Sequence, residues 1–199
     1  MRDGAMLGLA ELQQIGSPAR YTYRVDGMAL TVRRWTTDRV VVDEVVKYIP
    51  YPRPGPREVV LDFGAHIGAF SILAARAGAR VLAFEPDPAN FALLEKNVRP
   101  YPTIEAVPLA IACTSGTRTM RRQVRCSTSG WSFFESSGDA QRTACISLPE
   151  ILDQWQLGHV DLLKLNVEGA EYEIVREAPI DALRKAKRPS PVRFSVVHR

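Results

Sequence analysis

Hydrophobic and polar positions along the chain follow two rhythms, with a break at residues 50–57. Ahead of the break, YTYRVDGMALTVRR alternates around Asp26-Gly27, and an Asp-Gly pair between alternating runs predicts a β-hairpin. TTDRVVVDEVVKYI places Val41, Val42, Val45, Val46 and Ile49 at helical spacing, with Thr37 and Asp38 as caps. Upstream, Ala5 to Gln14 predicts a short helix closed by Gly16 and Pro18. PYPRPGPR then continues neither helix nor central strand and reads as a linker.

Beyond the linker the pattern becomes strand, turn, helix, repeated. EVVLDF, RVLAFE and TIEAVPLAI read as three strands, with AFSILAARAG and PDPANFALLEKNV as the helices between them. Such alternation predicts βαβ units, a mainly parallel sheet and right-handed crossovers that put helices on both faces. Residues 114–149 break the rhythm and predict short antiparallel strands with a loop around STSGWSFFESSG. SLPEILDQWQLG predicts a helix with Ser147 as N-cap and Glu150 completing a capping box. VDLLKLNV is a fourth strand, EGAEYEIVREA a helix, and VRFSVVH a fifth strand. The expected fold class is therefore α/β, a three-layer sandwich. Residues 1–56 form a hairpin-and-helix extension packed on the core, and residues 57–199 form the ligand-binding domain.

Composition narrows the function without choosing it. At 199 residues, 46% hydrophobic and 24% charged, with a net charge of +4, the chain suits one soluble domain with a full core. Its basic runs, RTMRRQVR and LRKAKRPSPVR, are not interleaved with aromatic residues, so they read as solvated faces rather than a nucleic-acid surface. Cys113, Cys126 and Cys145 are odd in number and lack ligand spacing, which argues against a disulfide framework and a metal site. No run approaches the ~18 apolar residues of a membrane span, and no leader pattern opens the chain. The expected setting is cytoplasmic.

The most specific chemistry lies in VVLDFGAHIGAF, where Asp62 precedes the turn framed by Gly64 and Gly68. A nicotinamide fingerprint would carry a middle glycine for pyrophosphate approach; Ala65, His66 and Ile67 supply none. An acid at Asp62 repels a phosphate but suits a ligand with a cationic end. Glu85 closes the second strand ahead of Pro86 and Asp87, where a carboxylate accepts from both hydroxyls of a ribose. The two acids around two glycines point to S-adenosylmethionine (SAM), a nucleoside without phosphate.

TTDRVVVDEVV, the segment VVLDFGAHIGAFSILAARAGARVLAFEPDPANFALLEKNV, VPLAIACTSG and VDLLKLNVEGAEYEIV together resemble class I SAM-dependent methyltransferases of the FkbM type, over residues 37–175. That resemblance implies a Rossmann-like fold and methyl transfer from SAM to the hydroxyl of a small-molecule, sugar or polyketide-like acceptor. It implies that Asp62, Gly64, Ala65, His66 and Gly68 line the methionine end, that Glu85 and Pro86 hold the ribose, and that Asp87, Ala110 and Ile111 flank the adenine. There are two departures. Asn166 stands where the family usually has Asp, and the fifth strand is the last, where class I sheets add two more. Pairing of the open edge by another chain, as in a homodimer, a trimmed enzyme and a fragment each explain the second departure.

Removing a hydroxyl proton calls for a positioned base. Asn166 and Glu168 follow the fourth strand two residues apart, on one side of it by alternation. An amide orients a hydroxyl or contacts the cofactor but takes no proton, so Glu168 is the expected base, with His66 a further candidate. Glu171 reads equally as a first-turn acid favoured by the helix dipole. Trp131, Phe133 and Phe134, set among Ser and Gly, are expected to form an apolar lid over the acceptor. His159 lies at the wrong end of its strand, and His198 at the right end but near the terminus. A SAM-binding but inactive scaffold is the alternative that Asn166 keeps open.

Overall fold

In the computed structural model, residues 19–49, 51–122, 132–133, 138–167, 174, 176 and 193–196 are described. The expected N-terminal helix and Trp131, Phe134, Glu168, Glu171 and His198 lie outside them, as does nearly all of the helix expected after the fourth strand.

Strands β1 (Arg20–Val25) and β2 (Met28–Arg33) pair antiparallel with Val25 opposite Met28. The turn between them is the expected one: Asp26 and Gly27 both have positive φ, 47° and 69°, as the strand twist requires of a two-residue hairpin. Helix α1 (Asp38–Asp43) follows and passes into a π-helical stretch, Glu44–Tyr48. Its capping differs from expectation. Thr37 makes no side-chain cap, and Asp38 lies inside the first turn, wholly buried.

The central sheet contains β3 (Val59–Phe63), β4 (Arg80–Phe84), β5 (Ile104–Val107), β9 (Leu162–Leu165) and β10 (Arg193–Val196), all parallel, in the order β10-β9-β3-β4-β5. The chain builds outward from β3 through β4 to β5, then returns to add β9 on the opposite side. The carboxyl ends of β3 and β9 therefore flank a topological switch point, where open α/β sheets bind ligands. Helices α2 (Ala69–Arg76) and α3 (Pro88–Val98) supply the crossovers.

The third strand is not the continuous one expected. Pairing in the main sheet stops at Val107, where the next N–H in register, that of Leu109, turns back to the Val107 carbonyl at 3.0 Å. Ala110–Ile111 (β6) joins a separate sheet with β7 (Gly116–Arg122) and β8 (Asp139–Ile146), which pair antiparallel. Helix α4 (Leu148–Gln154) then begins at the expected N-cap, with Ser147 Oγ accepting from the Glu150 N–H. The capping box is not closed by Glu150: the Ser147 N–H donates to Ser115 Oγ at 2.9 Å, and Ser115 Oγ donates to the Glu150 carboxylate.

Alternation along the strands builds two cores. Val60, Val81 and Leu162 face a cluster that includes Met28, Leu30 and Val32 of the hairpin, Val42, Ile72, Leu93 and Leu94. Leu61, Leu82 and Leu163 face the other, with Ile146, Ile151 and Leu152. The hairpin is thus part of the same core as the sheet. Each large aliphatic side chain buried this way stabilises by about 1.5–3 kcal/mol.

Candidate functional site

The tips of β3 and β4 are stitched together by the turn that follows β3. The N–H groups of Gly64 and Ala65 both donate to the Phe84 carbonyl, at 3.0 and 2.9 Å, and the Asn166 N–H donates to the Phe63 carbonyl at 3.1 Å. Gly64, His66 and Gly68 take φ of 74°, 54° and 96°, conformations costly for side chains other than glycine. At both glycines a side chain would collide with protein. A Cβ on Gly64 would sit 2.0 Å from the Asn166 carbonyl oxygen, and one on Gly68 would sit 2.9 Å from Leu94. Gly64 is required because the turn presses against the strand that ends at Asn166.

Asp62 is fully buried and committed within the protein. Ser71 Oγ donates to its Oδ2 at 2.6 Å. Its Oδ1 lies 2.8 Å from Lys164 Nζ, an ion-pair distance, although the contact lacks hydrogen-bond alignment. Lys164, on β9 and also buried, donates to the Gly64 carbonyl at 2.8 Å. The expected place of Asp62 at the methionine end of a ligand thus coincides with a role inside the protein. Asp62 neutralises a lysine that pins the glycine turn, and neither the strand pattern nor the spacing singled out Lys164.

Glu85 follows β4, is buried, and accepts three hydrogen bonds. Its Oε2 accepts from the His66 N–H at 2.8 Å. Its Oε1 accepts from the Asp87 N–H at 3.0 Å and from Asn90 Nδ2 at 3.3 Å. Burial, against the opposing pull of these donors, raises its pKa from 4.5 to about 7, and neighbouring Asp87 adds to the rise. Asp87 serves α3: its side chain accepts from the Asn90 N–H at 2.8 Å as the N-cap. Pro86 is half-buried, and its carbonyl accepts from Gln141. Ala110 and Ile111 are buried in the small sheet beside this loop.

His66 contributes its backbone to Glu85, while its imidazole is buried and turned to the N-terminal extension, with Nε2 3.6 Å from Asp38 Oδ1. Arg33 meets the same Asp38 with two guanidinium nitrogens, at 2.9 and 2.8 Å. That pair, together with its buried partner Asn90, was not anticipated. The legible signal was Asn90 and Asn97, seven residues apart on the face of α3 that also buries Leu93 and Leu94.

At the tip of β9, Asn166 Oδ1 is buried and has no hydrogen-bond partner among the described residues. Phe133 does not stand out as a lid. It is half-buried against both the larger core and the small sheet, with the Arg118 guanidinium 5.5 Å from its ring centre. His159 is part-exposed, 3.3 Å from Asp161. A cavity of about 480 Å³ lies apart, between the π-helical stretch, residues 51–54 and α2. Two of its cations are already engaged, Lys47 by Asp43 and Arg76 by the Asp26 carbonyl. Among the described residues no cluster of His, Cys, Asp and Glu could hold a metal, and no helix is long and apolar enough to cross a membrane.

Comparison with known proteins agrees with this architecture. A family model described as the methyltransferase FkbM domain matches residues 62–196. The chain is 28% identical over 209 aligned residues to the AMB antimetabolite synthetase AmbE of Pseudomonas aeruginosa, covering 83% of this chain and 10% of the synthetase. The solved structure of methyltransferase FkbM from Methylobacillus flagellatus KT superposes with a TM-score of 0.53 at 17% identity, over 78% of this chain and 36% of that one. Aeropyrum pernix fibrillarin, solved with natively bound S-adenosyl-L-methionine, gives a TM-score of 0.43 at 16% identity over 85% and 57% of the two chains. The chain thus spans about a tenth of its curated relative and about a third of the FkbM structure, and shares the class I, Rossmann-like fold of the latter.

Proposed function

The chain belongs to the FkbM methyltransferase family, and from that premise we propose that it is a SAM-dependent O-methyltransferase acting on a hydroxyl of a small-molecule, sugar or polyketide-like acceptor. Glu85 is the observation that carries the reading. It is a buried carboxylate at the tip of the second sheet strand, tied to the His66 N–H of the glycine turn. A phosphate placed there would be repelled, whereas a ribose diol offers two donors to an acceptor.

The other residues fit the same ligand. A ligand carboxylate suits the first-turn N–H groups where α2 opens, and Asn166 Oδ1, unpartnered among the described residues, is an acceptor for an N–H or O–H at the tip of β9. SAM, when bound, supplies an activated methyl carbon, so the protein need form no covalent bond itself. The chain's own tasks are to hold the turn through Lys164 and Asp62, to accept the ribose hydroxyls at Glu85, and to orient the acceptor hydroxyl. Glu168, two residues past Asn166, takes the hydroxyl proton on its carboxylate.

Titration calorimetry with SAM, S-adenosylhomocysteine and NAD tests the ligand class: micromolar binding of the first two supports the reading, and NAD binding without them sinks it. Glu168→Gln is expected to abolish turnover while leaving SAM affinity within about threefold, and unchanged turnover removes Glu168 from the mechanism. Asn166 favours one other reading, a SAM-binding but inactive scaffold, because its amide has no usable basicity where the FkbM resemblance implies Asp. Methyl transfer to hydroxyl acceptors by the unaltered chain excludes that alternative. Its absence, with activity gained in Asn166→Asp, establishes it.

A further inference from the structure

We propose that Arg33 and Asn90 are positioning residues of the nucleoside site: Arg33, delivered by the N-terminal hairpin, fixes which way the Asn90 amide faces, and Asn90 consequently donates to Glu85. The inference rests on Glu85 as the ribose acceptor. Its structural half, that a hairpin residue governs the hydrogen bonding of Glu85, stands or falls without a ligand.

Arg33 is held by three hydrogen bonds to Asp38. Its Nε and Nη2 donate to the two oxygens of Asp38 at 2.9 and 2.8 Å, and its backbone N–H donates to Asp38 Oδ2 at 2.8 Å. The planar fork is thus fixed, and its Nη2 also reaches Asn90 Oδ1 at 2.5 Å. A guanidinium has only donors and a carboxylate only acceptors. An amide between the two has one good orientation, with oxygen toward Arg33 and nitrogen toward Glu85, which is the one observed. The reversed amide would set oxygen against carboxylate and N–H against guanidinium.

The hairpin grips the same turn a second time. Asn97 accepts from the Thr31 N–H at 2.7 Å, donates to the Thr31 carbonyl at 3.1 Å and donates to the Ile67 carbonyl at 2.9 Å. One residue before Ile67, His66 gives its N–H to Glu85. Two buried asparagines on α3 thus connect β2 to the glycine turn and to the carboxylate.

The charged groups around Glu85 set the expected response. Asp87, on its own loop, opposes ionisation. From the extension comes the Arg33–Asp38 pair, with the imidazole of His66 from the glycine turn beside it; α3 contributes the neutral Asn90. The Asn90 donor favours the charged form of Glu85, so anything that turns or removes that donor raises the pH at which Glu85 ionises.

The test titrates the Glu85 carboxyl carbon by NMR in the full ligand-free chain, with the resonance assigned by its loss in Glu85→Gln. Asn90→Asp keeps the shape and the acceptor for Arg33 but sets an oxygen against Glu85. Arg33→Lys keeps a positive charge beside Asp38 but lacks a fork that reaches both partners. Asn90→Asp is expected to move the Glu85 midpoint up by about one unit, and Arg33→Lys by a smaller amount in the same direction. A one-unit rise weakens S-adenosylhomocysteine binding about tenfold below the midpoint, which calorimetry reads in parallel. Unchanged midpoints in both variants, even with lowered melting temperatures, make Arg33 and Asn90 merely structural and overturn the proposal. Failure of the unaltered chain to bind S-adenosylhomocysteine refutes the nucleoside reading instead, and the NMR titration still decides the network.

Discussion

Replacing Lys164 with methionine keeps most of the side-chain volume on β9 and deletes only the ammonium. Lys164 is 2% exposed and Asp62 is 0%, so the substitution leaves a buried carboxylate with Ser71 as its remaining neutral donor. Unit charges 2.8 Å apart attract by about 6 kcal/mol at an effective dielectric of about 20. Desolvation of both ions offsets much of that attraction, so the intact pair adds little net stability, whereas breaking it costs about 3–5 kcal/mol. That is a large part of the ~5–15 kcal/mol by which domains are stable. The double variant Lys164→Met/Asp62→Asn removes both charges and keeps a polar partner for Ser71, so it should lie within about 2 kcal/mol of the parent. Urea unfolding of the four proteins at pH 7 gives the cycle directly. A Lys164→Met cost under about 1 kcal/mol, or a double variant no better than the sum of the singles, refutes the ion pair as the element that pins the turn.

Two further perturbations probe the same site. The folded state of Glu85 holds its proton up to about pH 7, against 4.5 for an unshifted carboxyl. Folding stability should therefore fall as pH rises from about 4.5 to 7, by up to about 3 kcal/mol. Affinity for S-adenosylhomocysteine should rise over the upper part of that range. Both dependences should flatten in Glu85→Gln, and persistence of either slope there assigns it to another group. Gly64→Ala puts a methyl 2.0 Å from the Asn166 carbonyl oxygen at a φ of 74°, so backbone must shift. A loss of about 2–5 kcal/mol is expected by thermal unfolding, and a loss under 1 kcal/mol would mean that β9 yields easily.

What the sequence made legible was local. Asp26-Gly27 announces its own hairpin, Ser147 with Glu150 its own helix start, and Asp62 to Gly68 their own turn, because each signal sits within a few residues of the structure it causes. The misread third strand was local too. Pairing ends at Val107 because the Leu109 N–H turns back to the Val107 carbonyl two residues earlier. Asp38 was misread for a different reason. An acid at the start of a helical pattern resembles a cap, whereas here Arg33, five residues upstream at the end of β2, claims it.

The same distinction runs through the site. Positions at strand tips were readable because topology alone puts Asp62, Glu85 and Asn166 at the carboxyl edge. Their partners were not, since Lys164 is 102 residues from Asp62 and Arg33 is 57 from Asn90. A buried polar side chain gives no periodic signal of its own; it looks like an interruption in an apolar pattern. Lys164 within LLKL and Asn90 and Asn97 within PANFALLEKNV are such interruptions. Burial without a partner is costly, so each implies a distant group of complementary chemistry. Asp62, Arg33 with Glu85, and Thr31 with Ile67 prove to be those groups. Polar breaks in core-facing stretches are therefore the places from which a ligand site's supporting contacts can be sought. Here all three lead to the one glycine turn or the carboxylate bound to it.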